Sequence, residues 1–106
     1  MQTLQNIQKE IDNNLALMLY FSAPKCNVCH VLKPKLFEAV KNNFKEFKLI
    51  NIDISINQDI ATHFNVFSIP TILIFLASNE FLRKSRYMSV GEVIKEIKRP
   101  YEIMIS

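Results

Sequence analysis

The chain has 106 residues, of which 49% are hydrophobic and 22% charged, a balance that excludes a largely disordered protein. Its single glycine argues against a glycine-rich phosphate-binding loop, and its net charge of +3 is modest. The longest apolar runs, 15–21 and 72–77, are too short to cross a bilayer, so we expect one globular domain over residues 1–106 with no membrane partner.

The first stretch of the chain predicts a helix followed by a buried strand. Apolar residues recur at intervals of three and four from Leu4 to Leu15, which is typical of an amphipathic helix over about 2–13. The unbroken apolar run 15–21 predicts a strand that is covered on both faces, as in the middle of a sheet with helices on each side.

The next stretch predicts a longer helix and a second strand. The helix is expected from about 27 to 44, and Pro34 inside it predicts a kink, because proline has no amide hydrogen to donate to the carbonyl of His30. Residues 47–53 carry several apolar side chains and predict the second strand.

The remaining stretch predicts a short helix, a hairpin and a final helix. The expected elements are a short helix capped by Asn57 and ending near Asn65, strands over 72–77 and 81–87 joined by a turn at 78–80, and a helix from a capping box at Ser89 to Pro100. The location of the tail 101–106 stays open. The order of elements predicts an α/β fold with a central mixed four-stranded sheet and helices on both faces.

Both cysteines, Cys26 and Cys29, lie where the first predicted strand ends and the second helix begins. The unpaired N–H groups and partial positive charge of a helix start stabilise a thiolate on Cys26. Cys29 lies one turn further along the same helix face and can close an intramolecular disulfide. Because no export signal is visible, we expect a cytoplasmic protein whose cysteine pair cycles between dithiol and disulfide.

Other chemistries fit these residues less well. Cys26-X-X-Cys29-His30 also satisfies the c-type haem attachment pattern, but that attachment needs export. A zinc site usually has four protein ligands, and His63 is the only other ligand of note. The basic residues of the last quarter are expected to form a solvated surface, because few aromatic residues are interleaved for base stacking. We therefore expect no metal, no cofactor beyond the disulfide and no nucleic-acid partner.

The chain contains the segments Phe21-Ser22-Ala23, Cys26-X-X-Cys29, Pro34, Asn51-Ile52-Asp53 and Ile69-Pro70-Thr71 before an apolar strand. Through these segments it resembles the thioredoxin family over roughly residues 15–99. The resemblance implies a thioredoxin-like fold with the N-terminal strand absent or very short. It also implies a thiol–disulfide oxidoreductase in which Cys26 attacks a substrate disulfide and Cys29 resolves the mixed disulfide.

The same resemblance implies how substrate is held. The Ile69–Pro70 bond is expected to be cis and to lie against the cysteine pair, where the backbone before the proline pairs with an extended substrate segment. The implied substrate-binding residues are Lys25, Ser68, Ile69, Pro70, Tyr87 and Met88. The implied partners are a disulfide-containing protein and a thioredoxin-reductase-type electron donor.

The chain departs from the family pattern around the cysteines. Asn27-Val28 replaces the usual Gly-Pro between them, and Tyr20 replaces the family's buried acid. No acid then remains to take the proton of Cys29, and His30 either assists this transfer or is an exposed bystander. The charge of Lys25 is expected to lower the pKa of Cys26.

Two alternative functions stay open. One is a thioredoxin-fold binding module whose cysteines react slowly. The other is a glutaredoxin-like, glutathione-dependent reductase, which is less favoured because isoleucine, and not threonine or valine, precedes Pro70.

Overall fold

A computed structural model of the protein, which describes residues 2–106, has a mixed sheet covered by helices on both faces. The elements in chain order are α1 (Leu4–Asn13), β1 (Ala16–Ser22), α2 (Asn27–Asn43), β2 (Phe47–Asp53), α3 (Gln58–His63), β3 (Thr71–Leu76), β4 (Asn79–Ser85) and α4 (Val90–Ile105). The predicted α/β class and four-stranded sheet are confirmed. Within the described residues the first element is the helix α1, and no strand precedes it. This agrees with the expectation that the N-terminal strand of the family is absent or very short.

The sheet has the strand order β2-β1-β3-β4. β1 pairs in parallel with β2, with Ser22 opposite Asp53, and β3 runs antiparallel to both β1 and β4. β1 is therefore a central strand, and all seven of its residues are buried. This agrees with its unbroken apolar sequence.

Successive residues of β1 point to opposite faces of the sheet and so enter two separate cores. Met18 and Tyr20 join α2 and α4 on one face, whereas Leu17, Leu19 and Phe21 join α1 and α3 on the other. Full burial of a large apolar side chain contributes about 1.5–3 kcal/mol. β1 thus holds the two helical layers together, and α2 begins shortly beyond its end.

The predicted hairpin is present, but its second strand begins two residues earlier than predicted. β4 begins at Asn79, so the turn consists of Ala77 and Ser78, whose φ angles of 49° and 69° are both left-handed. This is the pattern of a tight type I′ hairpin, which usually contains glycine or asparagine. Because β4 ends at Ser85, the following residues leave the sheet two positions earlier than predicted.

The short helix α3 also differs from its prediction. It ends at His63, and the side chain of Asn57 makes no cap hydrogen bond but donates to the carbonyl of Asp53 at 2.9 Å. Ile60 and Ala61 are buried as predicted. Here the amide of Asn57 ties the start of α3 to the end of β2 in place of capping the helix.

The final helix does not stop at Pro100 but continues to Ile105. Tyr101 is only 4% exposed, and its ring centroid lies 4.8 Å from that of Phe44 and 5.7 Å from that of Phe47. Its phenol oxygen accepts the backbone N–H of Glu46 at 2.9 Å. This packing outweighs the hydrogen bond lost at the proline, so the tail docks on the core.

Both long helices contain a proline, and α2 runs through Pro34 without a break in its assignment. The kink at Pro34 stays a prediction. None of the helices described over residues 2–106 combines the length and the apolar character needed to span a membrane.

Tyr101→Ala should lower the free energy of unfolding by about 3–5 kcal/mol, because it removes a large buried aromatic group and leaves a cavity. Urea unfolding followed by circular dichroism measures the change. The exposed neighbour in Glu102→Ala is the control and should change stability by less than about 0.5 kcal/mol. A similar small change for both variants would contradict the docking of the tail.

Candidate active site

The two cysteines form a disulfide at the start of α2, with their Cα atoms 5.3 Å apart. Cys26 is the N-cap residue, and its Sγ accepts the backbone N–H of Cys29 at 3.2 Å. A sulfur thus takes the place of the usual capping oxygen. In the reduced protein the same N–H and the helix dipole favour a thiolate on Cys26.

The two sulfur-bearing residues differ in access. Cys29 is 1% exposed and belongs to the core between the sheet and helices α2 and α4. Cys26 is half-buried and lies against the edge of that core. An external reactant therefore reaches Cys26 first, and Cys29 stays shielded.

Tyr20 lies behind the disulfide at the position expected for a buried acid. It is fully buried, and its hydroxyl donates to the carbonyl oxygen of Cys29 at 2.8 Å. Burial raises the pKa of Tyr20 to about 12. The phenol therefore stays neutral at physiological pH and positions the first turn of α2 as a hydrogen-bond donor, not as a base.

His30 is exposed and is held against the loop before the helix. Its Nε2 lies 2.7 Å from the carbonyl oxygen of Pro24, so Nε2 carries the hydrogen in this contact because a carbonyl only accepts. In the neutral imidazole, Nδ1 is then the ring nitrogen that can accept a proton. Beside it lies a small depression of about 200 Å³ that is bordered by Cys29, Asp53 and Lys33.

The Ile69–Pro70 peptide bond is cis, the isomer that the resemblance implies. The hydroxyl of Thr71 donates to the carbonyl of Ser68 at 2.7 Å, and the carbonyl of Pro70 accepts the N–H of Arg86 at 2.6 Å. The first bond is local, and the second joins the chain before β3 to the chain after β4.

A shallow depression of about 130 Å³ brings the predicted residues together. It is lined by Cys26, Val28, Ile69, Pro70, Arg86 and Tyr87. Three of the six predicted binding residues lie outside its lining. Lys25 is exposed on the loop before Cys26, Ser68 is half-buried before Ile69, and Met88 lines a neighbouring groove.

A second, larger groove of about 440 Å³ adjoins the first and holds the remaining predicted residue, Met88. Its lining residues are Asn27, Val28, Val31, Leu32, Lys35, Arg86, Tyr87 and Met88. Val28, Val31 and Tyr87 are 60%, 59% and 91% exposed. The sequence analysis missed the two valines, although exposed apolar residues three positions apart on a helix are a usable signal.

Arg86 is also a residue that the sequence analysis missed. Its φ of 60° lies in the left-handed region, which costs a residue with a side chain roughly 1–2 kcal/mol. Its guanidinium lies 5.9 Å from the ring centroid of Tyr87. An arginine therefore occupies a strained position, beside the cysteines, that glycine would adopt without cost.

The zinc alternative finds no support in the part of the chain that the structure describes. Residues 2–106 contain no group of three or more histidine, cysteine, aspartate or glutamate side chains placed to hold a metal ion.

Comparison with known proteins gives consistent matches. The family model described as Thioredoxin matches residues 1–99. The chain is 31% identical over 103 residues to the thioredoxin-like protein YdfQ of Bacillus subtilis, and the match covers 97% of this chain and 91% of that protein. It is 32% identical over 77 residues to thioredoxin of the same organism, covering 73% of each.

Solved structures show the same fold. A mutant thioredoxin from Halobacterium salinarum superposes with a TM-score of 0.81 at 20% identity, covering 95% of this chain and 87% of that one. At this low identity the superposition shows that the backbone architecture is shared.

Tyr20→Phe should destabilise the protein by about 0.5–1.5 kcal/mol at neutral pH, because it removes the buried hydrogen bond to Cys29. The folded-state pKa of about 12 lies above the ordinary value of 10.0. The wild-type protein should therefore have the higher free energy of unfolding by the full amount below pH 10, and this difference should be lost as the pH rises towards 12. Urea unfolding at a series of pH values measures this difference.

Tyr87→Phe is the matched control, because Tyr87 is 91% exposed. It should leave the free energy of unfolding within about 0.5 kcal/mol of wild type throughout. A wild-type advantage over Tyr20→Phe that stays constant up to pH 12 would contradict the buried, neutral phenol.

Proposed function

The chain belongs to the thioredoxin family, and on this basis we propose that it reduces or exchanges protein disulfides with Cys26 as the attacking thiolate and Cys29 as the resolving thiol. The family and the Cys-X-X-Cys disulfide make the chain a thiol–disulfide oxidoreductase. The assignment of the two roles rests on one observation. Cys29 is 1% exposed, whereas Cys26 is half-buried and caps the helix.

The reaction has two exchange steps. The Cys26 thiolate attacks one sulfur of the substrate disulfide, a mixed disulfide forms, and the other substrate sulfur leaves as a thiolate. Cys29 then loses its proton and attacks Sγ of Cys26, and the second substrate sulfur leaves. The substrate has gained two electrons, and the protein ends with the Cys26–Cys29 disulfide.

The second step needs a base for the proton of Cys29. Tyr20 cannot accept it near neutral pH, because the phenol is already protonated and its pKa is raised to about 12. Water, His30 Nδ1 and the substrate thiolate released in the first step remain as acceptors. Cys29 and His30 both border the depression of about 200 Å³ described above, so an acceptor on this side would lie close to the resolving thiol.

Substrate binding is proposed for the surface around the cis proline. The backbone of Ile69 pairs with an extended substrate segment, and Pro70 and Tyr87 border the depression next to Cys26. Met88 extends this surface into the larger groove, and Lys25 and Ser68 lie at its margin.

The wider setting of the reaction is also part of the proposal. The partners are a disulfide-containing protein and a reductase of the thioredoxin-reductase type that returns electrons to the disulfide. The reaction uses no cofactor beyond the Cys26–Cys29 disulfide, and the 106 residues act as one domain in the cytoplasm.

Cys26→Ser should abolish the reduction of a protein disulfide such as that of insulin, because no accessible sulfur remains. Cys29→Ser should instead accumulate a mixed disulfide, because the resolving thiol is missing. Mass spectrometry of the unreduced mixture measures the adduct, and dithiothreitol should release it.

Retained reductase activity in Cys26→Ser would contradict catalysis by this pair and favour the binding module. An exchange that is much faster with glutathione than with a protein disulfide would favour the glutaredoxin-like alternative.

A further inference from the structure

The larger groove is continuous with the depression that holds Cys26. Val28, Arg86 and Tyr87 line both. A substrate segment whose cysteine reaches Cys26 can therefore continue into the groove formed by α2 and residues 86–88. The floor of this groove is apolar, with Val31 and Leu32 on one side and Met88 on the other.

The charged side chains that line the groove are both cationic. They are Lys35 and Arg86, and neither lining includes an aspartate or glutamate among the described residues. A separate depression that shares Tyr87 and Met88 with the groove is lined by Glu92, together with Lys84. The groove next to Cys26 is therefore apolar and positively charged.

These two cations differ from their basic neighbours on β4. Arg83 pairs with Glu80 at 3.0 Å, and Lys84 pairs with Glu96 at 2.9 Å. Over residues 2–106, Lys35 and Arg86 take part in no such ion pair. Their charge is not offset within the described chain and is available to a ligand.

Arg86 is held in place by its backbone and by its neighbour. Its N–H donates to Pro70 at 2.6 Å, and its guanidinium lies over the ring of Tyr87. A guanidinium positioned in this way offers paired donors that match a carboxylate.

We propose that the groove selects substrate segments that place a carboxylate and an apolar side chain beside the reactive cysteine, with Arg86 and Lys35 as the specificity-determining residues. This proposal rests on the proposed function. The occupant is an extended, acidic segment of the disulfide-containing partner. Its apolar side chain lies against Val28 and Val31, and its carboxylate binds Arg86.

The test compares three peptides that share one disulfide and one neighbouring leucine and differ only in an adjacent glutamate, glutamine or lysine. The rate constant for their reduction by the dithiol form of the protein is measured in single turnover at low and at high salt. The glutamate peptide should react about three to ten times faster than the lysine peptide at low salt. The difference should shrink at high salt, because salt screens exposed charges.

Variants then locate the effect. Arg86→Glu and Lys35→Glu should each reduce or reverse the preference, and Arg86→Lys should keep most of it. Arg86→Gly removes the charge at a φ that glycine adopts freely, so it tests the same point without adding backbone strain. Lys9→Glu makes the same change of charge on α1, on the other face of the sheet, and should keep the wild-type preference.

Three results would overturn the proposal. They are equal rates for the glutamate and lysine peptides, a loss of preference in Lys9→Glu as large as in Arg86→Glu, and a dimer in sedimentation whose formation Val31→Glu abolishes. The last result would identify a second copy of the chain as the occupant. If none of the three peptides is reduced, the proposed function itself fails, whereas equal reduction of all three peptides removes only the specificity.

Discussion

The burial of β1 on both faces is the constraint on which the rest of the structure depends. All seven of its residues are buried, and its alternating side chains belong to two different cores. Because β1 cannot shift without disturbing both, the loop that follows it presents Cys26 at a fixed place. The chain then begins α2 at once, so the sulfur caps a helix that is anchored by Leu36 and Val40.

The same anchoring gives the two sulfur-bearing residues different exposure, which is the basis of the roles proposed for them. Adjacent residues in the first turn of α2 lie on different faces of the helix, so Cys29 is buried against the sheet while Val28 is exposed to solvent. Tyr20 reaches from β1 to the carbonyl of Cys29 and holds this turn through a neutral hydrogen bond. In this position a carboxylate would add a base and a negative charge, whereas the phenol adds neither. The chemistry proposed for the pair thus depends on the helix start and on a proton acceptor other than a buried acid at this position.

Much of this account was predictable from local sequence. The bounds of β2 and the start of α2 were predicted to the residue, because apolar runs and the cysteine spacing act over short distances. The turn at Ala77 and Ser78 was missed because neither residue type signals a left-handed backbone. The passage of α4 beyond Pro100 depends on Tyr101 meeting Phe44, a contact between residues far apart in sequence. The groove was missed for the same reason, since residues 86–88 reach α2 only in the folded chain.

The most direct test of the central claim is an equilibrium redox titration of the Cys26–Cys29 pair, followed by thiol labelling across dithiothreitol and glutathione buffers. The account predicts one reversible two-electron transition, with a tenfold change in the ratio of oxidised to reduced protein for about every 30 mV. It also predicts that the oxidised form is an intramolecular disulfide. Failure to form this disulfide at any redox potential would contradict the account.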